Sequence, residues 1–300
     1  MYKDFKSLIS NLNKKEPITV VVAAAEDDHA LGAIKKAMNH GIMKPILVGD
    51  EKKIRKLMKE IDFLDEVEII NVTDPADAAI RAVALVKAGR AKVLMKGLVN
   101  TAVFLRAVLK SEIGLRTDRL LSHLAGFEIP NQKKIIVLTD AALNILPSFE
   151  EKTQILSNGI EALHQLEIRE PKVAILSANE IPSEKLISST DAVKLVEIFA
   201  APGLAKAIVE RPMALDVIES KEAAEHKGVE SQVSGDVDLI LVPNIDTGNA
   251  LAKSFSHYAG GVMAGVLLGA QVPIVMNSRS DTAEGKYSSI LLALALKKEN

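Results

Sequence analysis

The residues best suited to chemistry lie near the C-terminus, in the segment Asn277–Lys286. This segment follows an apolar run, Val272–Met276, that predicts a strand, and open α/β folds bind ligands where strands end. Arg279 offers a guanidinium that can hold a phosphate through two parallel hydrogen bonds. The next three residues, Ser280-Asp281-Thr282, can each cap a helix, whose first amides and positive dipole end attract an anion. On residue types alone, a phosphate site and an ordinary helix cap beside a solvated arginine fit this segment equally well.

A second polar loop follows the predicted strand Asp238–Pro243. It contains Asn244, Gly248 and Asn249, and Asp and Thr residues lie between them. A structural turn needs about two such residues, so some of these positions have no structural task. The loop therefore predicts either a ligand-facing surface or an Asx turn that leads into a helix cap.

A third candidate segment joins the predicted strand Lys92–Met95 to a helical pattern. Lys96 precedes a glycine, Asn100 or Thr101 can cap the helix, and Arg106 lies further along it. The two cations and the amides of a helix start again suit an anion. The spacing of Gly and Lys differs from that of a Walker A loop. The alternative is a tight turn between strand and helix, with surface cations.

A fourth pair of polar residues, Asp140 and Asn144, follows the predicted strand Lys134–Thr139 and either lines a cleft or holds a turn. The acidic triplet Glu26–Asp28 also follows a strand, and it is most simply an acidic helix start that the helix dipole favours. The histidines show no spacing typical of metal ligands, so the sequence predicts no metal site.

Composition excludes several classes of function. The chain has 300 residues, no cysteine, 3% aromatic residues and a formal net charge of -2. Without cysteine there are no disulfides, no thiolate metal sites and no cysteine nucleophile. The balanced charge offers no basic surface to nucleic acid or membrane, and no apolar run is long enough to span a bilayer. Because the N-terminal segment also lacks a signal core, we expect a cytoplasmic protein without nucleic-acid or membrane partners.

Apolar runs of strand length alternate with amphipathic helical segments along the chain. Runs that are apolar throughout suit strands covered on both faces, so the alternation predicts an α/β fold with largely parallel strands between layers of helices. The predicted strands are Ile18–Ala25, Pro45–Gly49, Val67–Asn71, Lys92–Met95, Lys134–Thr139, Lys172–Ser177, Asp238–Pro243 and Val272–Met276. The predicted helices are Leu31–Asn39, Glu51–Ile61, Pro75–Ala88, Val103–Lys110, Glu150–Leu166, His257–Gly269 and Tyr287–Lys298. Ser189–Val209 is predicted to contain helix interrupted at Pro202-Gly203, and the polar segment Ile218–Gly235 is predicted to be exposed.

Four of these strand-end segments, taken in order, resemble the phosphate acetyltransferase and phosphate butyryltransferase family. In that family a strand-end glycine leads to a Thr-rich cap and a Leu-Arg pair, matched here by Gly97–Thr101 and Leu105-Arg106. The family's Asp-x-Ala-x-Asn-x-x-Pro element is matched by Asp140–Pro147. Its Pro-Asn-x-x-x-Gly-Asn loop is matched by Pro243–Asn249, and its Ser-Arg pair by Ser278-Arg279. The resemblance covers nearly the whole chain and is closest to the butyryltransferases.

The resemblance implies two α/β/α domains with the active site in the cleft between them. Residues 1–118 and 266–300 would form the first domain, and residues 119–265 would form a second domain inserted into it. It also implies a homodimer or an assembly of dimers that acts on acyl-CoA and phosphate. Coenzyme A is then a substrate, and no permanently bound cofactor is expected.

The implied reaction moves a short acyl group, butyryl rather than acetyl, between coenzyme A and inorganic phosphate. Because Ser278 has neither a cysteine nor a histidine beside it in the sequence, we expect direct transfer in a ternary complex. Ser278 would donate a hydrogen bond to the developing oxyanion, and Arg279 would bind phosphate. The acid of the acetyl-specific enzymes falls at Gly285 by ungapped counting, so Asp281 and Glu284 are the candidate bases. The other residues expected to bind phosphate or coenzyme A are Lys96, Asn100, Thr101, Arg106, Asn144, Asn244, Gly248 and Asn249.

Three alternative functions remain open from the sequence. An acetyl-specific phosphate acyltransferase would use the same fold and the same chemistry. A metal- and NAD-dependent decarboxylating dehydrogenase would share the two-domain architecture, but it needs clustered aspartates that the sequence does not show. A non-enzymatic sensor of coenzyme A or acyl phosphate would keep a degenerate site.

Overall fold

The computed structural model describes residues 2–12, 16–201, 206–277 and 281–297. The chain separates into two compact units. The split unit consists of Tyr2–Arg119 and Val262–Asn300, and the inserted unit consists of Leu120–Gly261. In both units strands alternate with helices, and most neighbouring strands run parallel. The predicted α/β fold with largely parallel strands is therefore confirmed.

The split unit is built around buried, apolar strands. Val20, Val21 and Val22 are fully buried, because β1 has a parallel neighbour on each side and helices cover its two faces. The strands follow the order β3-β2-β1-β4-β11-β10, and all neighbours are parallel except β10 and β11. They are β1 (Ile18–Ala23), β2 (Met43–Gly49), β3 (Glu68–Asn71), β4 (Val93–Lys96), β10 (Val262–Leu268) and β11 (Ile274–Val275).

Helices of the split unit cover both faces of these strands. They are α1 (Ile9–Leu12), α2 (Asp28–Asn39), α3 (Glu51–Glu60), α4 (Pro75–Lys87), α5 (Thr101–Leu109) and α11 (Ala283–Ala295). Connections between parallel strands are right-handed. The chain passes from β1 through α2 to β2 and through α3 to β3, moving in one direction across the sheet, so α2 and α3 cover the same face. The connection through α4 steps back past β1 to β4 and so covers the other face. The contacts agree, since α2 packs against α11 and α3, whereas α4 packs against α5.

The direction of the strand order in the split unit reverses between β1 and β4. β1 is followed in sequence by its neighbour β2, whereas β4 lies on the opposite side of β1, with Ala23 paired to Lys96. Open α/β sheets bind ligands at such a switch point, beyond the carboxyl ends of the strands. Since β4 and β11 are also parallel neighbours, the loops after β1, β4 and β11 leave from one edge.

The inserted unit has the strand order β5-β6-β9-β7-β8, and all neighbours are parallel except β5 and β6. The loops after β6, β9 and β7 therefore also leave from one edge. The strands are β5 (Ser122–Glu128), β6 (Ile136–Thr139), β7 (Lys172–Leu176), β8 (Ile208–Met213) and β9 (Leu239–Leu241). The helices are α6 (Phe149–Gln165), α7 (Ile187–Phe199), α8 (Leu215–Glu219), α9 (Lys221–His226) and α10 (Ile245–His257).

The predicted helix His257–Gly269 is wrong, because α10 ends where this segment begins and most of the segment is β10. The chain leaves α10 through Gly260, whose φ of 68° is a left-handed conformation that commonly follows a helix end. Small residues at helical spacing favour a packed helix in this segment. An uninterrupted apolar run of 7 residues suits a buried strand equally well, and pairing with β11 decides the outcome.

Strands β5 and β8 were not predicted, because polar residues interrupt their apolar patterns. In β5, Ser122 and His123 are buried, and Asn158 Nδ2 donates to the Ser122 hydroxyl at 2.9 Å. β8 carries Glu210 and Arg211, and in the described part of the chain it lies at the end of the strand order. The segment read as interrupted helix is therefore α7 followed by β8, and the predicted interruption at Pro202-Gly203 lies outside the described residues.

The segment predicted to be an exposed excursion, Ile218–Gly235, is more ordered than its polarity suggests. It contains the end of α8 and all of α9, and Ile218, Ala224 and Val233 are buried. Most of its other residues are exposed, so the prediction holds for the surface but misses these apolar anchors.

Candidate active site

The predicted Ser278-Arg279 pair, together with Ser280, lies outside the described residues. On either side, the described chain stops at Asn277, two residues after the end of β11, and resumes at Asp281, directly before the cap of α11. These two residues connect the pair to the carboxyl edge of the split unit.

Asp281 is held by contacts with two neighbouring elements. Its carboxylate accepts a hydrogen bond from Asn277, with Nδ2 and Oδ2 3.1 Å apart. Its main-chain oxygen lies 3.2 Å from Nδ1 of His29, in the first turn of α2. Thr282 caps α11, because its hydroxyl accepts from the amide of Gly285 at 3.1 Å. The Asp281 carboxylate is therefore not used as the cap of α11.

Glu284, the other candidate base, is directed towards α2. Its Oε2 lies 2.6 Å from Nζ of Lys36, and both side chains are partly exposed. The same ammonium lies 4.2 Å from the ring centroid of Tyr287. Burial, and secondly the charge of Glu284, raises the pKa of the Tyr287 hydroxyl to about 12. Glu284 thus belongs to the contact between α2 and α11.

The loop after β4 presents a buried cation and a helix start. Lys96 is 5% exposed, and its Nζ donates to the main-chain oxygen of Gly97 at 3.2 Å. Asn100 caps α5, because its side-chain oxygen accepts from the amide of Ala102 at 2.9 Å. Thr101 is the first residue of α5 and is exposed. The predicted cap is therefore present at the edge that also carries Asp281.

Arg106 is exposed and lies in the last turn of α5. A helix rises about 1.5 Å per residue, so its Cα lies roughly 7.5 Å along the axis from that of Thr101. Arg106 has no hydrogen bond or ion pair with any residue that the structure describes. Its guanidinium is therefore available to an anion.

In the inserted unit, Asp140 is a buried residue that organises the loop after β6. Its carboxylate accepts from the amides of Ala142 and Leu143, both at 2.9 Å, and from the amide of His123 at 3.0 Å. A fourth donor is Nδ2 of Asn144, at 2.6 Å, which also donates to the main-chain oxygen of Leu121 at 2.9 Å. Asp140 therefore holds the turn, and the side-chain nitrogen of Asn144 is committed to the same task.

Two of the predicted residues in the loop after β9 stabilise the fold. Asn244 caps α10, because its side-chain oxygen accepts from the amide of Thr247 at 2.9 Å. Gly248 lies so close to the loop after β6 that a Cβ there would be 2.8 Å from Cα of Ala141. Asn249 is exposed, and its side chain makes no hydrogen bond within the described part of the chain. Among these three predicted residues, Asn249 has the side chain available to a ligand.

The predicted residues fall into one group in each unit. In the split unit, Lys96–Thr101 and Asp281 lie at the shared edge of β4 and β11. In the inserted unit, the loops after β6 and β9 touch, since the amide of Ile245 donates to the main-chain oxygen of Ile145 at 3.0 Å. Each pair of strand-end segments is thus brought together by parallel strands of its own unit.

Sequence reasoning missed the link between the acidic triplet and α11. Asp27 caps α2 by accepting from the amide of Ala30 at 2.8 Å, and its other oxygen pairs with Nζ of Lys286 at 3.0 Å. The side chains of Asp27 and Lys286 are 9% and 4% exposed. The sequence placed Asp27 in a helix start, but it gave no signal for a partner that lies far away along the chain.

The structure shows no cluster of His, Cys, Asp or Glu that could hold a metal ion among the residues it describes. Within the same residues, none of the helices combines the length and the apolar character needed to cross a membrane.

Comparisons with known proteins agree with these observations. The family model for phosphate acetyl/butaryl transferases matches residues 4–78 and 74–294. The chain is 40% identical over 294 residues to a phosphate butyryltransferase of Clostridium acetobutylicum, covering 98% of each protein. It is 38% identical over 301 residues to that of Clostridium beijerinckii, covering 100% of each.

Among solved structures, a branched-chain phosphotransacylase from Enterococcus faecalis resembles the chain with a TM-score of 0.82. The two are 34% identical, and the match covers 93% of this chain and 98% of that one. The resemblance drawn from the four strand-end motifs is confirmed. The chain belongs to the phosphate acetyl/butaryl transferase family.

Proposed function

We propose that the protein is an acyltransferase that moves a short acyl group, with butyryl favoured, between coenzyme A and inorganic phosphate. The observation that carries this proposal is that residues 4–78 and 74–294 match the family model and that nearly the whole chain matches proteins named phosphate butyryltransferase. The solved relative is named a branched-chain phosphotransacylase, which also favours an acyl group larger than acetyl.

The proposed reaction is a direct transfer in a ternary complex. When acyl phosphate is consumed, the thiol sulfur of coenzyme A forms a bond to the acyl carbon. The carbon–oxygen bond to phosphate breaks, and phosphate leaves with the bonding electron pair. The thiol proton passes to a base and from there to the departing phosphate or to water. A free thiol has a pKa of about 8.5, so a carboxylate base is sufficient.

Ser278 and Arg279 are the central residues of this proposal. Ser278 donates a hydrogen bond to the oxyanion that develops on the acyl carbonyl, which is worth about 3–4 kcal/mol for a well-aimed donor. Arg279 binds phosphate through two parallel hydrogen bonds. Holding both substrates in one complex contributes roughly 7–11 kcal/mol of barrier reduction.

Asp281 is the better candidate for the base. Its carboxylate accepts from Asn277, the residue before Ser278, so it is tied to the end of β11. The Glu284 carboxylate pairs with Lys36 of α2 at 2.6 Å and would have to leave this partner to accept a proton. We therefore assign proton transfer to Asp281 and a packing role to Glu284.

The remaining predicted residues differ in whether their side-chain hydrogen-bonding groups are available to a substrate. Asn100 and Asn244 cap helices, and Gly248 allows a close approach of two loops, so these three shape the site. Arg106 and Asn249 are exposed with no partner within the described residues, and we propose that they contact phosphate groups or coenzyme A. Lys96, Thr101 and Asn144 complete the proposed binding set.

We also propose, from the family resemblance, a cytoplasmic homodimer or assembly of dimers without a permanently bound cofactor. Residues 1–118 with 266–300 and residues 119–265 are the proposed domains. Light scattering coupled to size-exclusion chromatography measures the mass directly, and a monomeric mass of 32.3 kDa would contradict the assembly.

A thiol-release assay tests the proposed function. The protein is incubated with acetyl-, propionyl-, butyryl- or isobutyryl-CoA, with and without phosphate, and free coenzyme A is measured. We expect release that requires phosphate and is fastest with a four-carbon acyl group. Fastest release from acetyl-CoA would favour an acetyl-specific enzyme, and no release from any substrate would favour a protein that only senses coenzyme A.

A further inference from the structure

A buried network of polar groups connects the end of β11 to α11 and β10. Asn277 is 5% exposed, and its Nδ2 donates to Oδ2 of Asp281 at 3.1 Å and to the hydroxyl of Ser289 at 2.9 Å. Ser289 is fully buried. Its hydroxyl donates to the main-chain oxygen of Gly285 at 2.9 Å and accepts from the amide of Gly265 at 2.9 Å.

The donors and acceptors of this network leave Asn277 one orientation. The Asp281 carboxylate can only accept, so the amide nitrogen of Asn277, and not its oxygen, must face it. The Ser289 hydroxyl gives its proton to Gly285 and can therefore accept the second N–H of Asn277. If the amide of Asn277 were turned over, its hydrogen bonds to Asp281 and Ser289 would both be lost. The amide oxygen of Asn277 would then face the carboxylate oxygen of Asp281.

The network holds the side-chain carboxylate of Asp281 in place, in addition to its main chain. A hydrogen bond to an ionised group is stronger than one between neutral groups, and burial of Asn277 strengthens it further. The main-chain oxygen of Asp281 is separately held by Nδ1 of His29, at 3.2 Å. Side chain and main chain of Asp281 are thus held by different elements, β11 and α2.

We propose that Asn277 is a positioning residue, which holds the Asp281 carboxylate in place to receive the proton of the coenzyme A thiol. This inference rests on the proposed acyl transfer. Asn277 contributes no atom to the reaction and acts only through Asp281. The thiol proton moves to Asp281 as the sulfur–carbon bond forms, and Asp281 then returns it to the departing phosphate or to water.

A double-mutant cycle between Asn277→Ala and Asp281→Ala tests the inference. We expect Asn277→Ala to lower kcat about tenfold, the scale set by one hydrogen bond to a charged group, and to leave KM for both substrates unchanged. In the Asp281→Ala background, Asn277→Ala should change kcat by less than about twofold, because the group that it positions is gone. An equal loss of kcat in both backgrounds, or no loss in the first, would overturn the inference.

Asn158→Ala is the matched control. Asn158 is 3% exposed, and its Nδ2 also makes two hydrogen bonds, to the main-chain oxygen of Leu120 and the hydroxyl of Ser122, both at 2.9 Å. Its replacement should lower the stability of the inserted unit and leave kcat of the folded enzyme unchanged. A comparable fall in kcat for Asn158→Ala would show that removing any buried asparagine side chain lowers kcat. That result would contradict a specific role for Asn277.

Asn277→Leu keeps the inference testable if the alanine variant does not fold, because leucine has the same branching at Cγ as asparagine and leaves no cavity, but it has no N–H. It should show the same tenfold loss of kcat. Wild-type protein that releases no coenzyme A would overturn the proposed function and this inference with it. Active wild-type protein with normal kcat in Asn277→Leu would overturn the inference alone.

Discussion

At the residue scale, the polar side chains at the strand ends differ in whether their hydrogen-bonding groups are already occupied. Asp140 accepts from three donors of its own loop and from the amide of His123 in β5, and Asn244 caps a helix, so each has a structural task. Arg106 and Asn249 have no partner among the described residues. Residue types and spacing identified the loops, but only the geometry separates the residues that build a loop from those with groups left for a ligand.

Arg279→Gln tests the phosphate site. Glutamine keeps a polar side chain, but it is shorter and lacks the charge and the paired donors that suit phosphate. We expect KM for phosphate to rise by about 10-fold or more, while KM for butyryl-CoA changes little. Initial rates over a range of phosphate concentrations measure this, and an unchanged phosphate dependence would remove Arg279 from the site.

Ser278→Ala tests the oxyanion donor. Removing one such donor typically lowers kcat by about 10²-fold or more, because its hydrogen bond is strongest in the transition state. KM for both substrates should change much less than kcat. Near-full turnover in this variant would show that Ser278 takes no part in the reaction.

At the element scale, the sequence predicted most strands and helices because the buried strands of parallel sheets are apolar throughout. It failed where polar residues are buried in a strand, as Ser122 is in β5, and where an apolar run has small residues, as in β10. Neither case can be resolved locally, since the outcome depends on partners such as Asn158 and β11 that lie far away in the sequence. The same holds for Asp27 and Lys286, which join the loop after β1 to α11.

Asp27→Asn and Lys286→Met test how this buried ion pair fixes α11. Asparagine still caps α2, but it leaves the buried ammonium of Lys286 without a counter-charge, which costs about 3–5 kcal/mol of unfolding free energy. The double variant removes both charges and should recover most of that loss. Denaturant unfolding of the two single variants and the double variant measures the coupling, and additive losses would show that the pair does not act as a unit.

Gly248→Ala tests the close approach of the loops after β6 and β9. A Cβ at this position would lie 2.8 Å from both Cα of Ala141 and Cγ2 of Val242, so the first turn of α10 must shift. Overpacking of this kind costs about 1–3 kcal/mol, which outweighs the gain of about 1 kcal/mol from replacing glycine in a helix.

Gly32→Ala is the control for that substitution, because Gly32 also lies within a helix and has nothing within 4 Å of its Cβ position. It should stabilise the protein by up to about 1 kcal/mol. Equal effects of the two substitutions on unfolding free energy would contradict the close approach at Gly248.

At the scale of the whole molecule, four weak motifs became informative through their order along the chain and their common position after strands. Each unit brings two of the segments to one edge, which the sequence could predict because the carboxyl ends of parallel strands coincide. The sequence could not indicate that Asn277 holds Asp281 or that Glu284 pairs with Lys36, since both depend on the packing of α11.

The formation of acyl phosphate tests the central claim most directly. Wild-type protein is incubated with butyryl-CoA and inorganic phosphate, butyryl phosphate is followed by phosphorus NMR, and free coenzyme A is measured in the same sample. We predict that one butyryl phosphate forms for each coenzyme A released and that neither forms when phosphate is omitted. Release of coenzyme A without butyryl phosphate would indicate hydrolysis, and the absence of both products would contradict acyl transfer by this protein.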